Sequence, residues 1–291
     1  MHLLPDGTDD IHFPGPPFWE RLWASGSLTF NPEVKWMMRY RLKGVLQEDV
    51  EDVKVKGIDG EEKVFVTVSR KVAMYPALRL DPEPKANSPV FPPDLRTLNG
   101  TDLTTRKLGE LAMEEKKTLV FVRRKTQEEV KQSLESVPRV IYPIHKPDFS
   151  ITLCPKAPLL FRFSALTFNA HQIHLDRHYC RSAGHRNLLV HGPLSQVLML
   201  SVLRSQLDQT KREMVLRFDY KNLTPLYVYK SMRICTRRNP DNPKKFDVWI
   251  EGPQGGYAVK ATAEIGTEQD SDLETSAPLE CVEPNMETGN I

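Results

Sequence analysis

Hydrophobic positions recur along this chain with two different periods. Over residues 63–72, Val64, Val66 and Val68 alternate with Phe65, Thr67 and Ser69. Both phases are β-formers, so the spacing predicts a strand. Residues 118–123 are a short apolar run of the same kind. In the second half, Leu216, Phe218 and Tyr220 alternate with Arg217 and Asp219. Residues 246–250 and 257–264 are further strand candidates, separated by Gly252, Pro253, Gly255 and Gly256. One segment breaks the pattern: residues 194–207 are apolar around most of a helix, and Gly192-Pro193 puts proline in its first turn. A helix hydrophobic on nearly all sides belongs in a core. The pattern therefore predicts an α+β layout, with antiparallel strands packed around a buried helix.

Six prolines (Pro76, Pro82, Pro84, Pro89, Pro92 and Pro93) make the stretch up to Gly100 a long loop. A second proline-bearing stretch, residues 138–158, marks a boundary between halves of comparable size. Helix candidates in the first half are residues 103–117 and 127–135. Residues 266–291 are acidic and poor in apolar side chains, and read as a disordered tail that carries Cys281. The start of the chain shows no basic or apolar leader and has early acids (Asp6, Asp9, Asp10), which argues against a secretory signal or a transit peptide.

Composition narrows the class. The 291 residues carry 40 Lys+Arg against 38 Asp+Glu, a balance that disfavours a dedicated nucleic-acid binder. No apolar run approaches the ~20 residues of a spanning helix. Four scattered cysteines without a C-x-x-C pair exclude a disulfide scaffold and a cysteine-rich zinc module.

Chemistry concentrates in the histidines. Five of the eight fall between residues 171 and 191: His171, His174, His178, His185 and His191. His174 and His178 could share a helix face near Asp176, but no metal-protease-type spacing supports a metal, and none is assigned. His171, His178 and His185 read as ordinary surface or capping residues. His174 stands apart because of its neighbours, Phe163-Ser164-Ala165-Leu166-Thr167-Phe168-Asn169-Ala170-His171-Gln172-Ile173-His174. This run resembles the signature of the (R)-specific enoyl-thioester hydratases of the MaoC-like hot-dog family. Phe163, Leu166, Thr167, Ile173 and His174 match at the family's spacing. Asn169 stands where the family has its catalytic Asp, and His171-Gln172 replaces Asn-Pro. Together with Leu189-Val190-His191-Gly192-Pro193-Leu194, Leu3-Leu4-Pro5 and residues 18–28, the pattern is similar to the hydroxyacyl-thioester dehydratase type 2 branch, which also holds the mesaconyl-C4-CoA hydratases.

The resemblance implies a double hot-dog, in which two antiparallel sheets each wrap a central helix. It divides the chain into a degenerate half (1–145), a catalytic half (146–265) and the tail (266–291). It also implies a hydro-lyase acting on 3-hydroxyacyl or enoyl thioesters of coenzyme A or acyl carrier protein, with no cofactor. His174 would be the general acid/base, since imidazole exchanges protons near neutral pH. Asn169 would hold the water, and the Gly192 N–H, at a helix start, would receive the enolate oxygen. Phe163, His191, Arg177 and Arg181 are the candidate substrate contacts, the arginines toward phosphates; for both, a plain solvated charge is the competing reading. A thioesterase and a non-catalytic acyl-binding protein remain alternatives, the latter because the Asp is missing. Relatives of this kind imply mitochondria, the lack of a visible presequence implies the cytoplasm, and a homodimer is an admissible assembly.

Overall fold

Hydrogen bonds join nine strands into one sheet in a computed structural model that describes residues 2–34, 43–75, 110–137 and 139–267. In chain order the elements are β1 (Glu20–Phe30), β2 (Lys43–Lys56), β3 (Lys63–Tyr75), β4 (Glu110–Val122), α1 (Gln127–Glu135), β5 (Phe149–Leu153), α2 (Ala157–Thr167), a 3-10 turn (Gln172–His174), α3 (Arg177–Ser182), α4 (Gly192–Arg204), β6 (Met214–Asn222), β7 (Met232–Arg238), β8 (Lys245–Glu251) and β9 (Tyr257–Gly266). Every neighbouring pair is antiparallel.

The strand order is β2-β3-β4-β1-β6-β9-β8-β7-β5. Read outward from the β1–β6 junction, the path β1-β4-β3-β2 repeats as β6-β9-β8-β7, and the second half adds β5. Two copies of one topology therefore meet at the pairing of residues 25–29 with residues 217–221. The expected α+β double hot-dog is borne out, with its two sheets fused into one.

In the second half, α4 follows the expected script. Leu194, Met199, Val202 and Leu203 are buried with Phe218, Val248 and Ile250 in the main core. The helix is less enclosed than its composition suggests, since Val197 is 49% exposed. The first half differs from its expectation. Glu110–Lys117, part of one helix candidate, lies in β4, and residues 103–109 are outside the described residues. The other candidate is α1, a real helix with a Thr126–Glu129 capping box, but it buries no residue. The place equivalent to α4, just before β1, holds an irregular segment instead. Its Phe13 and Phe18 pack on Val64, Val66, Val68, Leu119 and Phe121, closing a second, smaller core.

The proline-rich segment and Cys281 also lie outside the described residues, and Gly266 is the last residue of β9 rather than the start of a tail. Trp23 links the halves: its indole N–H donates to the Tyr220 hydroxyl (2.6 Å). Among the described residues no helix is long and apolar enough to cross a membrane.

Candidate active site

The signature run forms α2 and the turn after it. Pro158 opens α2 in its first turn, and the helix stops at Phe168, whose left-handed backbone (φ 52°, ψ 30°) turns the chain sharply. A non-glycine residue there costs on the order of 1 kcal/mol. The turn leaves Phe168 96% exposed and swings Asn169 back, so that its side-chain oxygen accepts from the His171 N–H (3.2 Å). His171 then leads into the 3-10 turn that ends on His174.

His174 is buried, and its Nδ1 lies 2.8 Å from the Leu189 carbonyl oxygen. A carbonyl only accepts, so Nδ1 carries the hydrogen and Nε2 keeps the lone pair a general base needs. The His174 ring stacks on His191 with centroids 3.6 Å apart. His191 is fully buried at the N-cap of α4; its Nε2 lies 2.9 Å from the Ser164 hydroxyl, while its Nδ1 has no hydrogen-bond partner. Phe163 closes on His191 edge-to-face at 5.0 Å. Gly192 follows in the first turn of α4, where backbone N–H groups lack intrahelical acceptors. A methyl group there would stand 3.3 Å from Trp23 Cβ and 3.2 Å from the Asn222 amide nitrogen, so the helix start is pressed against the junction of the halves.

Burial keeps these imidazoles neutral. It lowers His174 to about 4 and, with the neighbouring His174, lowers His191 to about 3. His171 corrects the surface reading: it is 6% exposed and held down to about 2, first by burial and then by His174. Its Nε2 lies 3.5 Å from the Asp6 carboxylate, but a neutral ring at that distance does not make a two-charge bridge. His185 is half-buried and lowered to about 4 by burial; His178 is exposed, as a surface residue should be.

The structure thus brings Phe163, His174, His191 and Gly192 together, with Asn169 at the edge. Arg177 and Arg181 stand apart on exposed α3, one turn from each other. Asp176 caps that helix, accepting from the His178 and Tyr179 N–H groups. Ser164 and Asp6 are the residues that sequence reasoning missed. Ser164 sat inside the signature unremarked; Asp6 had no local signal, because its neighbours in space are 165 residues away. Among the described residues, no cluster of His, Cys, Asp and Glu could hold a metal ion. A groove of about 750 Å³ lined by Asp219, Lys221, Asp247, Lys260 and Thr262 lies elsewhere on the sheet and touches none of the candidate residues.

Sheet order and the histidine-bearing turn define the class: the chain has the fold of the MaoC-like dehydratases. A solved MaoC-like dehydratase from Phytophthora capsici superposes with a TM-score of 0.50 at 12% identity, covering 91% of this chain and 74% of that one. This chain matches the model of the hydroxyacyl-thioester dehydratase type 2 family over residues 93–228, just under half of its length. It is 42% identical over 116 residues to the mesaconyl-C(4)-CoA hydratase of Chloroflexus aurantiacus, a match spanning 40% of this chain and 39% of that protein. It is 28% identical over 243 residues to the mitochondrial hydroxyacyl-thioester dehydratase type 2 of Schizosaccharomyces pombe, over 80% and 71% of the two lengths.

Proposed function

We propose that this chain hydrates enoyl thioesters and, in reverse, dehydrates 3-hydroxyacyl thioesters, with His174 as the general acid/base. The observation that carries the reading is the His174 ring, pinned through Nδ1 to the Leu189 carbonyl and stacked on His191, one residue from the start of α4. In hydration, Nε2 of His174 takes a proton from water as its oxygen bonds to C3 of the enoyl chain. The C2–C3 π pair moves toward the thioester, and negative charge gathers on its carbonyl oxygen. The Gly192 N–H receives that oxygen at the positive end of α4. His174 then returns the proton to C2, so water has added and nothing is lost. The Asn169 oxygen is already bonded to the His171 N–H, which leaves its amide N–H groups to hold the water.

Loss of enoyl-thioester absorbance with crotonyl-CoA and a longer enoyl-CoA tests this directly. His174→Ala should lower the rate by about 10²–10⁴-fold, whereas Asp176→Ala, which removes only a helix cap, should retain it. Full activity in His174→Ala would sink the assignment. One contact favours a second reading, a thioesterase: the Ser164 hydroxyl meets His191 Nε2 as a nucleophile meets a base. The unpartnered Nδ1 of His191 lacks the orienting group such a pair needs. Thiol release without hydration, lost in Ser164→Ala, would establish it.

Substrates in this reading are thioesters of coenzyme A or acyl carrier protein, with Arg177 and Arg181 toward the phosphates and Phe163 and His191 against the acyl group. The repeated topology supports a division at about residue 145, with the 146–265 half catalytic. The name of the fission-yeast relative supports a mitochondrial location over a cytoplasmic one, and a homodimer is the assembly to test by light scattering.

A further inference from the structure

The family resemblance leaves a gap: Asn169 occupies the place of a catalytic carboxylate. The site histidines deepen the problem. His171, His174 and His191 share one buried cluster, and each is neutral there. A base that takes a proton inside such a buried cluster becomes a poorly solvated imidazolium, and an anion nearby is what lowers that cost.

Asp6 places a carboxylate beside the cluster. It is 3% exposed, the more deeply buried of the two buried carboxylates among the described residues, the other being Glu251 beside Trp249. One of its oxygens accepts from the Thr8 N–H (2.9 Å) and the Thr8 hydroxyl (2.6 Å). The other oxygen is buried without a hydrogen-bond partner and faces His171 Nε2 at 3.5 Å. His171 in turn stands edge-on to His174, ring centroids 5.8 Å apart. The placement is built rather than incidental. The Asp6 carbonyl accepts from the Gln172 N–H (2.8 Å), and the Gln172 side chain donates to the Pro5 carbonyl. Gly7, at φ +82°, lies so close that a Cβ would stand 2.2 Å from the Ala170 carbonyl oxygen. The N-terminal segment is thus docked on the signature turn itself, by a backbone bond at Asp6 and a side-chain bond at Pro5.

We infer that Asp6 is a positioning residue that replaces, from the start of the chain, the carboxylate the signature lacks at Asn169, and that it acts on His174 through His171. Its free oxygen takes the Nε2–H of His171 once the ring moves by a few tenths of an ångström. That fixes the tautomer of His171 and sets a negative charge behind it while His174 is protonated. The inference rests on the reading of His174 as the acid/base.

Because the charge on His174 arises only during reaction, the effect belongs to kcat and not to KM. Crotonyl-CoA hydration is therefore measured for the intact chain, His174→Ala, Asp6→Asn, Asp6→Glu and the pair Asp6→Asn with Asn169→Asp. Asn keeps the oxygen that Thr8 holds and removes the charge. Asp6→Asn should lose about ten- to a hundredfold in kcat with KM within twofold, and both Asp6→Glu and the added Asn169→Asp should recover part of the loss. A merely structural Asp6 would give no such recovery. Unchanged kcat in Asp6→Asn, or a loss that Asn169→Asp leaves untouched, overturns the inference. If Asp6→Asn does not fold, His171→Asn carries the test, and unchanged kcat there overturns it equally. Full activity in His174→Ala would instead overturn the underlying reading, so the two failures are told apart.

Discussion

A histidine of this cluster cannot be understood from its own sequence neighbourhood. His174 was legible because the signature spacing surrounds it. His171 reads as a surface residue in the sequence because no local pattern connects it to Asp6, whose carboxylate its ring faces from 165 residues away. The same distance hid Asp6. Burial has a kinetic consequence at this scale. A base must be neutral to accept a proton, and His174 stays neutral down to about pH 4 instead of the ordinary 6.5. The kcat/KM for crotonyl-CoA hydration should therefore stay flat from pH 8 to about 5 and fall only below that. An acid limb with its midpoint near 6.5 would mean that the base is a solvated group elsewhere.

Elements were readable where packing is one-sided and obscure where it is not. β3, β6 and β9 alternate because one face meets a core. β2 is an edge strand, and Val45, Leu46, Val50, Val53 and Val55 are all exposed among charged neighbours, so no alternation was enforced. The polar start of β4 resembles a helix by propensity. It becomes a strand because β1 and β3 pair with it on both sides, and because Glu115 finds Arg70 on β3 and Lys117 finds Glu48 on β2 beyond it; here tertiary pairing outweighs intrinsic preference. The α4 start was legible from Gly-Pro, yet its reason is the junction. In Gly192→Ala the new methyl meets Trp23 and an Asn222 amide that is itself committed to the Trp23 carbonyl (2.8 Å). Neither neighbour gives easily, so the helix start must shift by a few tenths of an ångström. Turnover should fall roughly tenfold or more, with most of the thermal stability retained; a fully active variant would separate α4's N-terminus from the chemistry.

For the molecule as a whole, the repeat of one topology about β1 and β6 was only half visible, since the first half spends no apolar helix on its core. Stability should nonetheless report the state of the second half. His171, His174, His185 and His191 are all held below their ordinary value by burial, to between about 2 and about 4. In the unfolded chain they titrate near 6.5. Between about pH 6.5 and 4 the unfolded chain binds protons that the folded chain refuses, so unfolding free energy falls as pH drops through that window. His174 alone contributes a loss of the order of 3 kcal/mol by pH 4. Urea midpoints at pH 7.5, 6 and 4.5 should decline in that order; a flat series would show that the histidines are wetter than the structure has them.

The docking of residues 2–10 onto the signature turn carries one more consequence. Among the described residues one backbone bond, from the Gln172 N–H to the Asp6 carbonyl, ties the segment to the signature turn, its other backbone bonds being internal, and it sits in no strand of the sheet, so it can let go while the nine strands stay paired. The Leu4, Gly7 and Gln172 amides should then exchange with deuterium well before those of β6, β8 and β9. If they do, the site has a latch, and each opening of that latch is a pause in catalysis that leaves no trace in the melting curve.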